Sequence, residues 1–352
     1  MIVLEENTLS VCETCYRHSP AKRFLRDGQI WLGKTCPEHG YIEHLVEPDG
    51  EFYLEYKYLK DPLESYFIDI TNRCNLACPH CYQMPNNFSK DPSIESILEL
   101  IRAWPNDGLP IALVGAEPTV RKDLPEVIES IQNMPGKPRG LIVLSNCVNL
   151  SDPNYAQKFQ KFKNLVWSIG LNHPDYQGPK VREKQMQGID NCIKFNLKIK
   201  NISYTLEDLT QLEYCLEEIQ QFKELCDLYR VRCGADIGRY PGGPKIFLSD
   251  LVKETIKISN QKGWTVEKDF NLGNRAHYGL IINGIIVKVI QWPDAKTLDL
   301  KEKQTEALAD IVPGKPLSPL AHQAILRDAM INKGLPLYDT IPDEYVKNYG
   351  KW

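Results

Sequence analysis

The chain has 352 residues, 42% of them hydrophobic and 25% charged, with a formal net charge of −4 at pH 7. That length suits roughly two domains with a sizeable core, and the near balance of charge gives no drive toward nucleic acid or anionic membranes. No apolar run approaches the ~18 residues of a membrane-spanning helix, and the start, MIVLEENTLS, lacks the basic and apolar regions of a signal peptide, so a cytoplasmic protein is expected.

Residues 1–60 are rich in turn formers and poor in helical periodicity, and they carry Cys12-x2-Cys15 and Cys36-x2-His39. Three thiolates and one imidazole on two knuckles suit a tetrahedral metal. The expectation is a zinc-ribbon or rubredoxin-like module with a closed, structural four-ligand site. Zinc is favoured over iron because one ligand is histidine, and a module this small needs such a staple. His44 fits the ligand spacing less well.

From residue 66 strand-like and helix-like segments alternate. Strands are predicted at 66–70, 110–115, 140–146, 164–170, 197–205 and 227–233, and helices at 93–104, 123–134, 154–162, 181–195, 212–225 and 248–262. Six strand–helix repeats predict a parallel α/β sheet, open or bent into a partial barrel, with right-handed crossovers. In either form the loops at the strands' C-terminal ends carry the chemistry. Past residue 270, Asn283-Gly284 between β-rich arms predicts a type I′ hairpin, and a helix is expected near 318–334. The expected division is a metal module over 1–60, the repeats over 61–265, and a hairpin-plus-helix extension over 266–352.

The first predicted strand runs straight into Cys74-x3-Cys78-x2-Cys81. With eleven cysteines in the chain, a cytoplasmic setting points to metal or redox chemistry rather than a disulfide framework. His80 lies between the second and third thiols, awkwardly placed to bind the same metal. The spacing leaves two readings: zinc with a distant fourth ligand, or a [4Fe–4S] cluster with three irons held and one open.

This loop, at the end of the first repeat strand, resembles the radical S-adenosylmethionine (SAM) superfamily, and the resemblance spans roughly residues 66–235. It implies a partial (β/α)6 TIM-type barrel in which the amino and carboxylate groups of SAM chelate the open iron. It further implies that a reduced cluster cleaves SAM to methionine and a 5′-deoxyadenosyl radical. That radical would take a hydrogen atom from a small-molecule or lipid substrate, with electrons from a donor such as flavodoxin or ferredoxin. VGAEPT (114–119) stands where the family has Gly-Gly-Glu-Pro, so Gly115, Ala116, Glu117 and Pro118 are expected beside SAM, with Ala116 departing from the second glycine. Glu117 is expected to accept from the SAM ammonium.

By the same resemblance Ser145 and Asn146 touch SAM, Ser168 contacts the ribose, and His80 lies against the adenine. Ile169-Gly170 departs from the family's usual acidic pattern there. Arg230, Arg232 and Arg239 fall near the sixth strand's end, where an arginine would meet the SAM carboxylate or an anionic substrate. His173, Asp175, Arg275, His277 and Tyr278, and the loop 238–244, are further substrate-side candidates.

The first module is similar to that of a radical SAM subgroup containing tetraether synthases and pterin methylases, which share a Cys-x2-Cys/Cys-Pro-x-His-Gly element. No cysteine follows Cys233, so auxiliary C-terminal clusters are not expected. The competing reading is a non-catalytic zinc-ribbon scaffold whose cysteine loop holds a structural metal. Neither the substrate nor a hydrogen donor or base is assigned by sequence.

Overall fold

A computed structural model describes residues 1–56, 65–81, 83, 85, 87–104, 107–135, 140–234, 246–269, 277–292, 294–299, 306–309 and 318–319. The N-terminal segment is an antiparallel meander of β1 (Ile2–Val11), β2 (His18–Arg26), β3 (Gln29–Cys36) and β4 (Gly40–Glu47), paired in that order. Asp27 and Gly28 both have positive φ, 52° and 75°, the backbone that a type I′ turn between β2 and β3 requires. Helix α1 (Gly50–Tyr56) follows.

The repeats fold as β5 (Ser65–Asp69), α2 (Ile94–Ala103), β6 (Ile111–Val114), α3 (Leu124–Gln132), β7 (Leu141–Ser145), α4 (Pro153–Gln157), β8 (Leu165–Gly170), α5 (Pro179–Lys194), β9 (Ile199–Leu206), α6 (Leu212–Gln221), β10 (Leu228–Cys233) and α7 (Leu248–Gln261). Consecutive strands from β5 to β10 pair in parallel. Helix α2 starts at Ser93, whose Oγ accepts from the Ser96 N–H at 3.1 Å. The expected start at Asp91-Pro92 is displaced because Asp91 is engaged elsewhere, as described below.

Four short strands complete the sheet: β11 (Val266–Lys268), β12 (His277–Ile282), β13 (Ile285–Ile290) and β14 (Glu306–Ala309), with β15 (Ser318–Pro319) beside the last. The hairpin β12–β13 turns on Asn283 and Gly284, at φ 49° and 78°. It does not stand apart as an extension, because β13 pairs in parallel with β10. At the other edge β14 pairs in parallel with β5. The order is β11-β12-β13-β10-β9-β8-β7-β6-β5-β14-β15, so eight parallel strands replace the six expected. The antiparallel strands β12 and β15 cap the two edges, and the curved sheet stays open. Ser318 and Pro319 are extended rather than helical. The rest of the helix expected near 318–334, the loop at 238–244 with Arg239, and Arg275 lie outside the described residues.

The outer face of the sheet carries the main core. Ile68, Leu113, Val143, Trp167, Ile202 and Tyr204 are all buried there. The apolar stripes of α2 to α7 cover these residues, as amphipathic helices do on a parallel sheet. The inner face holds a smaller apolar set, Phe67, Ala112, Val114 and Ile142, edged by Leu144, Val166 and Trp292.

The N-terminal meander is tied to the segment that follows β13. The Lys34 ammonium is buried and donates to the carbonyl oxygens of Val11 and Ala295, each at 2.8 Å. Arg23 and Asp299 form a buried ion pair at 3.1 Å, and Asp299 also accepts from Thr8.

Candidate active site

The cysteine loop leaves the C-terminal end of β5 and is held by backbone zippering. The Ile70 N–H donates to Val114 O, Ala116 N–H to Thr71 O and Glu117 N–H to Arg73 O, each at 3.0 Å. Gly115 makes this approach possible. Its φ is +118°, and a Cβ there would sit 2.1 Å from the Thr71 carbonyl oxygen. Only glycine tolerates both conditions.

Two charged residues fasten the loop's ends. Asp91 accepts from Thr71 Oγ1 at 2.6 Å and pairs with the Arg73 guanidinium. Arg121, almost wholly buried, donates through Nη1 to Ile70 O at 2.8 Å and to Pro92 O at 3.0 Å, and pairs with Asp123. Thr71 to Pro92 is thus pinned at both ends, with the three cysteines in between.

Cys74, Cys78 and Cys81 all line one cavity of about 230 Å³ at the C-terminal ends of the parallel strands. The Asn87 side chain accepts the Cys74 N–H at 2.9 Å, and Gln177 Nε2 donates to Cys78 Sγ at 2.9 Å. Burial, with the Glu117 charge and the neighbouring cysteines adding to it, pushes the Cys74 thiol up to about 12. A thiolate there needs a cation beside it, as a metal ligand has. Among the described residues these three do not form a single-ion ligand set. A four-iron cluster attaches each thiolate to a different iron, so its ligands stand farther apart than those around one ion.

Gly115, Ala116, Glu117, Ser145, Asn146 and Ser168 line the same cavity, as does His80. Pro118 is buried and is not among the lining residues; it opens the 3₁₀ turn Pro118–Val120 that Glu117 caps.

Glu117 is 1% exposed, and its carboxylate accepts four hydrogen bonds. Oε1 takes the Thr119 N–H at 3.1 Å, Thr119 Oγ1 at 2.6 Å and Ser145 Oγ at 2.8 Å, while Oε2 takes the Asn146 N–H at 2.7 Å. Burial pushes its carboxyl up, and these donors oppose the shift. An incoming ammonium would have to displace one of them.

Asn146 Nδ2 donates to Asn75 Oδ1 at 2.7 Å, which ties the β7 end back to the cysteine loop. Ser168 Oγ accepts from Asn201 Nδ2 at 3.0 Å. Burial, and then the Arg232 charge, bring the His80 imidazole down to about 4, so it is neutral near pH 7.

The structure separates the remaining candidates. Arg230 and Arg232 line the cavity, whereas His173 and Asp175 do not. His173 packs edge-on against Tyr214 with ring centroids 4.8 Å apart. Tyr278 is buried and stacks on Phe52 at 5.1 Å. Cys147 is fully buried behind the site. Asn75, Asn201 and Gln177 escape sequence reasoning, since nothing in their local spacing marks them.

The ribbon site is a separate cluster. The ligand atoms of Cys12, Cys15, Cys36 and His39 all lie within 4.8 Å of one another. Cys15 Sγ and Cys36 Sγ are 3.7 Å apart, and His39 Nδ1 is 3.6 Å from Cys12 Sγ and 3.5 Å from Cys36 Sγ. A tetrahedron with metal–sulfur bonds of about 2.3 Å and a metal–nitrogen bond of about 2.05 Å has edges of about 3.8 and 3.6 Å. The residues therefore fit a four-coordinate metal with no open position. His44 is outside the set and bonds Glu13 at 2.7 Å.

Two family models match the chain: the HMPTM N-terminal zinc ribbon domain over residues 4–48 and the radical SAM superfamily over residues 68–215. The 7,8-dihydro-6-hydroxymethylpterin dimethyltransferase of Methanocaldococcus jannaschii is 31% identical over 232 residues, covering 54% of this chain and 45% of that protein. The Fe-coproporphyrin III synthase of Methanosarcina barkeri is 27% identical over 232 residues, covering 60% of this chain and 56% of that protein. The chain thus spans about half the length of the curated relatives it matches. Streptococcus suis SuiB, solved with bound S-adenosylmethionine, superposes with a TM-score of 0.50 at 13% identity, over 93% of this chain and 89% of that one. At that identity the likeness is one of fold.

Proposed function

This chain belongs to the radical SAM superfamily, and from that membership we propose that it is a radical SAM enzyme acting on a small-molecule substrate. In this reading Cys74, Cys78 and Cys81 hold three irons of a [4Fe–4S] cluster and SAM binds between Ala116, Ser145, Asn146 and Ser168. The observation that carries it is convergence. Three thiols from one loop, the Gly115–Glu117 turn and the β7 and β8 ends all face one cavity. Cluster and SAM together supply one-electron cleavage of SAM and a hydrogen-abstracting radical.

The chain's own residues do the positioning. The turn at Gly115 and the Arg121 and Asp91 clamps fix where the cysteines stand. Gln177 Nε2 donates to the Cys78 sulfur, an interaction that tunes cluster potential. Ala116, with only a methyl group, leaves room for SAM against the strand ends. Glu117 acts from behind the cavity wall, holding Ser145 and Asn146 in place. Neutral His80 offers a flat, uncharged surface to an adenine ring.

Cys12, Cys15, Cys36 and His39 hold zinc in a structural site, and electrons come from a low-potential donor such as flavodoxin or ferredoxin. Among the described residues no helix is long and apolar enough to cross a membrane. The relatives' names, a pterin dimethyltransferase and a coproporphyrin synthase, support a small molecule over a lipid.

Anaerobic reconstitution tests the reading. About four irons per chain should bind, as one [4Fe–4S] cluster requires, and the electron paramagnetic resonance signal of the reduced protein should change when SAM is added. A protein that takes up only zinc under these conditions is a scaffold, and the reading fails.

A further inference from the structure

The inner face of the sheet changes character across its width. Beneath β5, β6 and β7 it is apolar, built on Phe67, Ala112, Val114 and Ile142. Beneath β9, β10 and β13 it is polar and cationic. Strand register sets Ser203, Arg230, Lys288 and Gly279 side by side in one row. The next row reads Thr205, Arg232, Ile290 and His277. Arg230 and Lys288 are therefore neighbours across adjacent strands, about 4.8 Å apart at the backbone.

A register shift against β8 adds a further cation. Trp167 pairs with Ile199 and Ser168 with Asn201, so Lys200 is bulged out of the ladder, and Lys200 lines the cavity together with Arg230 and Arg232. Glu117 is the one carboxylate among the described lining residues, and its oxygens are occupied by the hydrogen bonds that hold β7. The inner wall is thus strongly positive where it faces the cavity.

Like charges on neighbouring strands repel and weaken a sheet. Placing two guanidiniums and an ammonium in adjacent register has a cost that a bound anion would offset. The field is felt locally: burial, then Arg230, Lys288 and Arg232, hold the His277 imidazole well below its usual range. Arg232 Nε donates to Thr205 Oγ1 at 3.0 Å, which fixes the plane of its guanidinium.

We propose that the Arg230–Lys288–Arg232 wall binds a phosphate group of the substrate, so that the enzyme acts on a phosphorylated small molecule. Planar guanidiniums match phosphate oxygens in pairs, and an ammonium adds a point charge. A dianion suits three adjacent cations better than the single carboxylate of SAM does. The wall also stands on β10 and β13, away from the β6–β8 ends where SAM is placed. The assignment rests on the radical SAM reading for the location of the reaction, but not for the anion site itself.

The test uses the full-length, anaerobically reconstituted chain and inorganic pyrophosphate as probe, followed by calorimetry. One saturable site per chain is expected, weakening as salt rises. Arg230→Gln and Lys288→Gln should each lower affinity about tenfold, the loss of one charge-assisted hydrogen bond. Should either fail to fold, Arg230→Lys keeps the charge and should lose less.

Pyrophosphate should bind equally well with SAM at saturation. No pyrophosphate binding, binding insensitive to these substitutions, or displacement by SAM would each overturn the proposal, the last by giving the wall to the SAM carboxylate. SAM cleavage is read on the same preparation. Cleavage without pyrophosphate binding sinks the wall alone. Pyrophosphate binding without cleavage sinks the radical SAM reading and leaves the wall standing.

Discussion

Glu117 accepts the backbone N–H of Asn146 at 2.7 Å, so the turn after β6 holds the end of β7. The same carboxylate takes the Ser145 and Thr119 hydroxyls and the Thr119 N–H. Glu117→Ala would leave these buried donors without their acceptor, at about 1–3 kcal/mol for each one that finds no substitute. The expected loss of stability is about 3 kcal/mol or more, read as a lower denaturant midpoint. Glu117→Gln keeps one acceptor oxygen and should fall in between. An alanine variant as stable as the parent would show that the carboxylate does not brace the site.

Gly115→Ala tests the approach of the two loops. The added methyl would lie 2.1 Å from Thr71 O at a φ of +118°, and backbone must move to admit it. A loss of about 2 kcal/mol or more is expected, in the range of substitutions at strained backbone positions. Iron content after reconstitution should fall with it, because the displaced segment leads directly into Cys74. Full iron retention would separate the turn from the cysteine loop.

The repeats from β5 to β10 are legible in the sequence because apolar β-rich runs alternate with 3.6-periodic ones, and both signals are local. The parallel strands β13 and β14 are not. Asn283-Gly284 announces a hairpin, but the pairing of β13 with β10 depends on a partner distant in sequence. β14 reads Glu-Ala-Leu-Ala, which has little strand propensity, and it is a strand through its pairing with β5.

The same distinction runs through the site. The cysteines and Gly115–Pro118 stand out because their chemistry needs fixed short spacings. Arg230 and Lys288 become neighbours only through register. Their trace in the sequence is a polar residue at every second position, as in Asn201, Ser203 and Thr205 of an otherwise apolar strand. Glu117 is visible as a motif residue, yet its role as a brace emerges only once its four donors surround it.

The ribbon and the sheet should lose stability together when Lys34 is changed. Its ammonium bonds the Val11 and Ala295 carbonyl oxygens and pairs with Glu13 at 3.1 Å. Lys34→Met leaves those acceptors buried, an expected loss of about 2–4 kcal/mol. By contrast, Cys12→Ser should remove one zinc per chain and leave the iron content unchanged, measured by metal analysis of both elements. Parallel loss of iron in Cys12→Ser would mean that the two metal sites are not independent.

Acid should destabilise the fold through two buried histidines. Burial holds His18 down at about 4, and burial with the nearby cations holds His277 well below its usual range. In the unfolded chain both titrate near 6.5, so below that value the unfolded state binds more protons. Their contribution is full above about pH 6.5 and is lost as pH falls toward the folded values, by up to about 1.4 kcal/mol per pH unit for each group. Denaturant melts between pH 7 and pH 4.5 should show this slope, and His277→Gln should reduce it. An unchanged slope in that variant would mean His277 is not held neutral.

The central claim is that Cys74, Cys78 and Cys81 hold the cluster that cleaves SAM. The most direct measurement is 5′-deoxyadenosine formation by the reconstituted, chemically reduced chain, set beside the Cys74/Cys78/Cys81 triple alanine variant. The wild-type chain should release 5′-deoxyadenosine and methionine in equal amounts, and the variant should release neither while keeping its ribbon metal. Equal cleavage by both proteins, or no cleavage by a wild-type chain carrying its full iron, would contradict the claim.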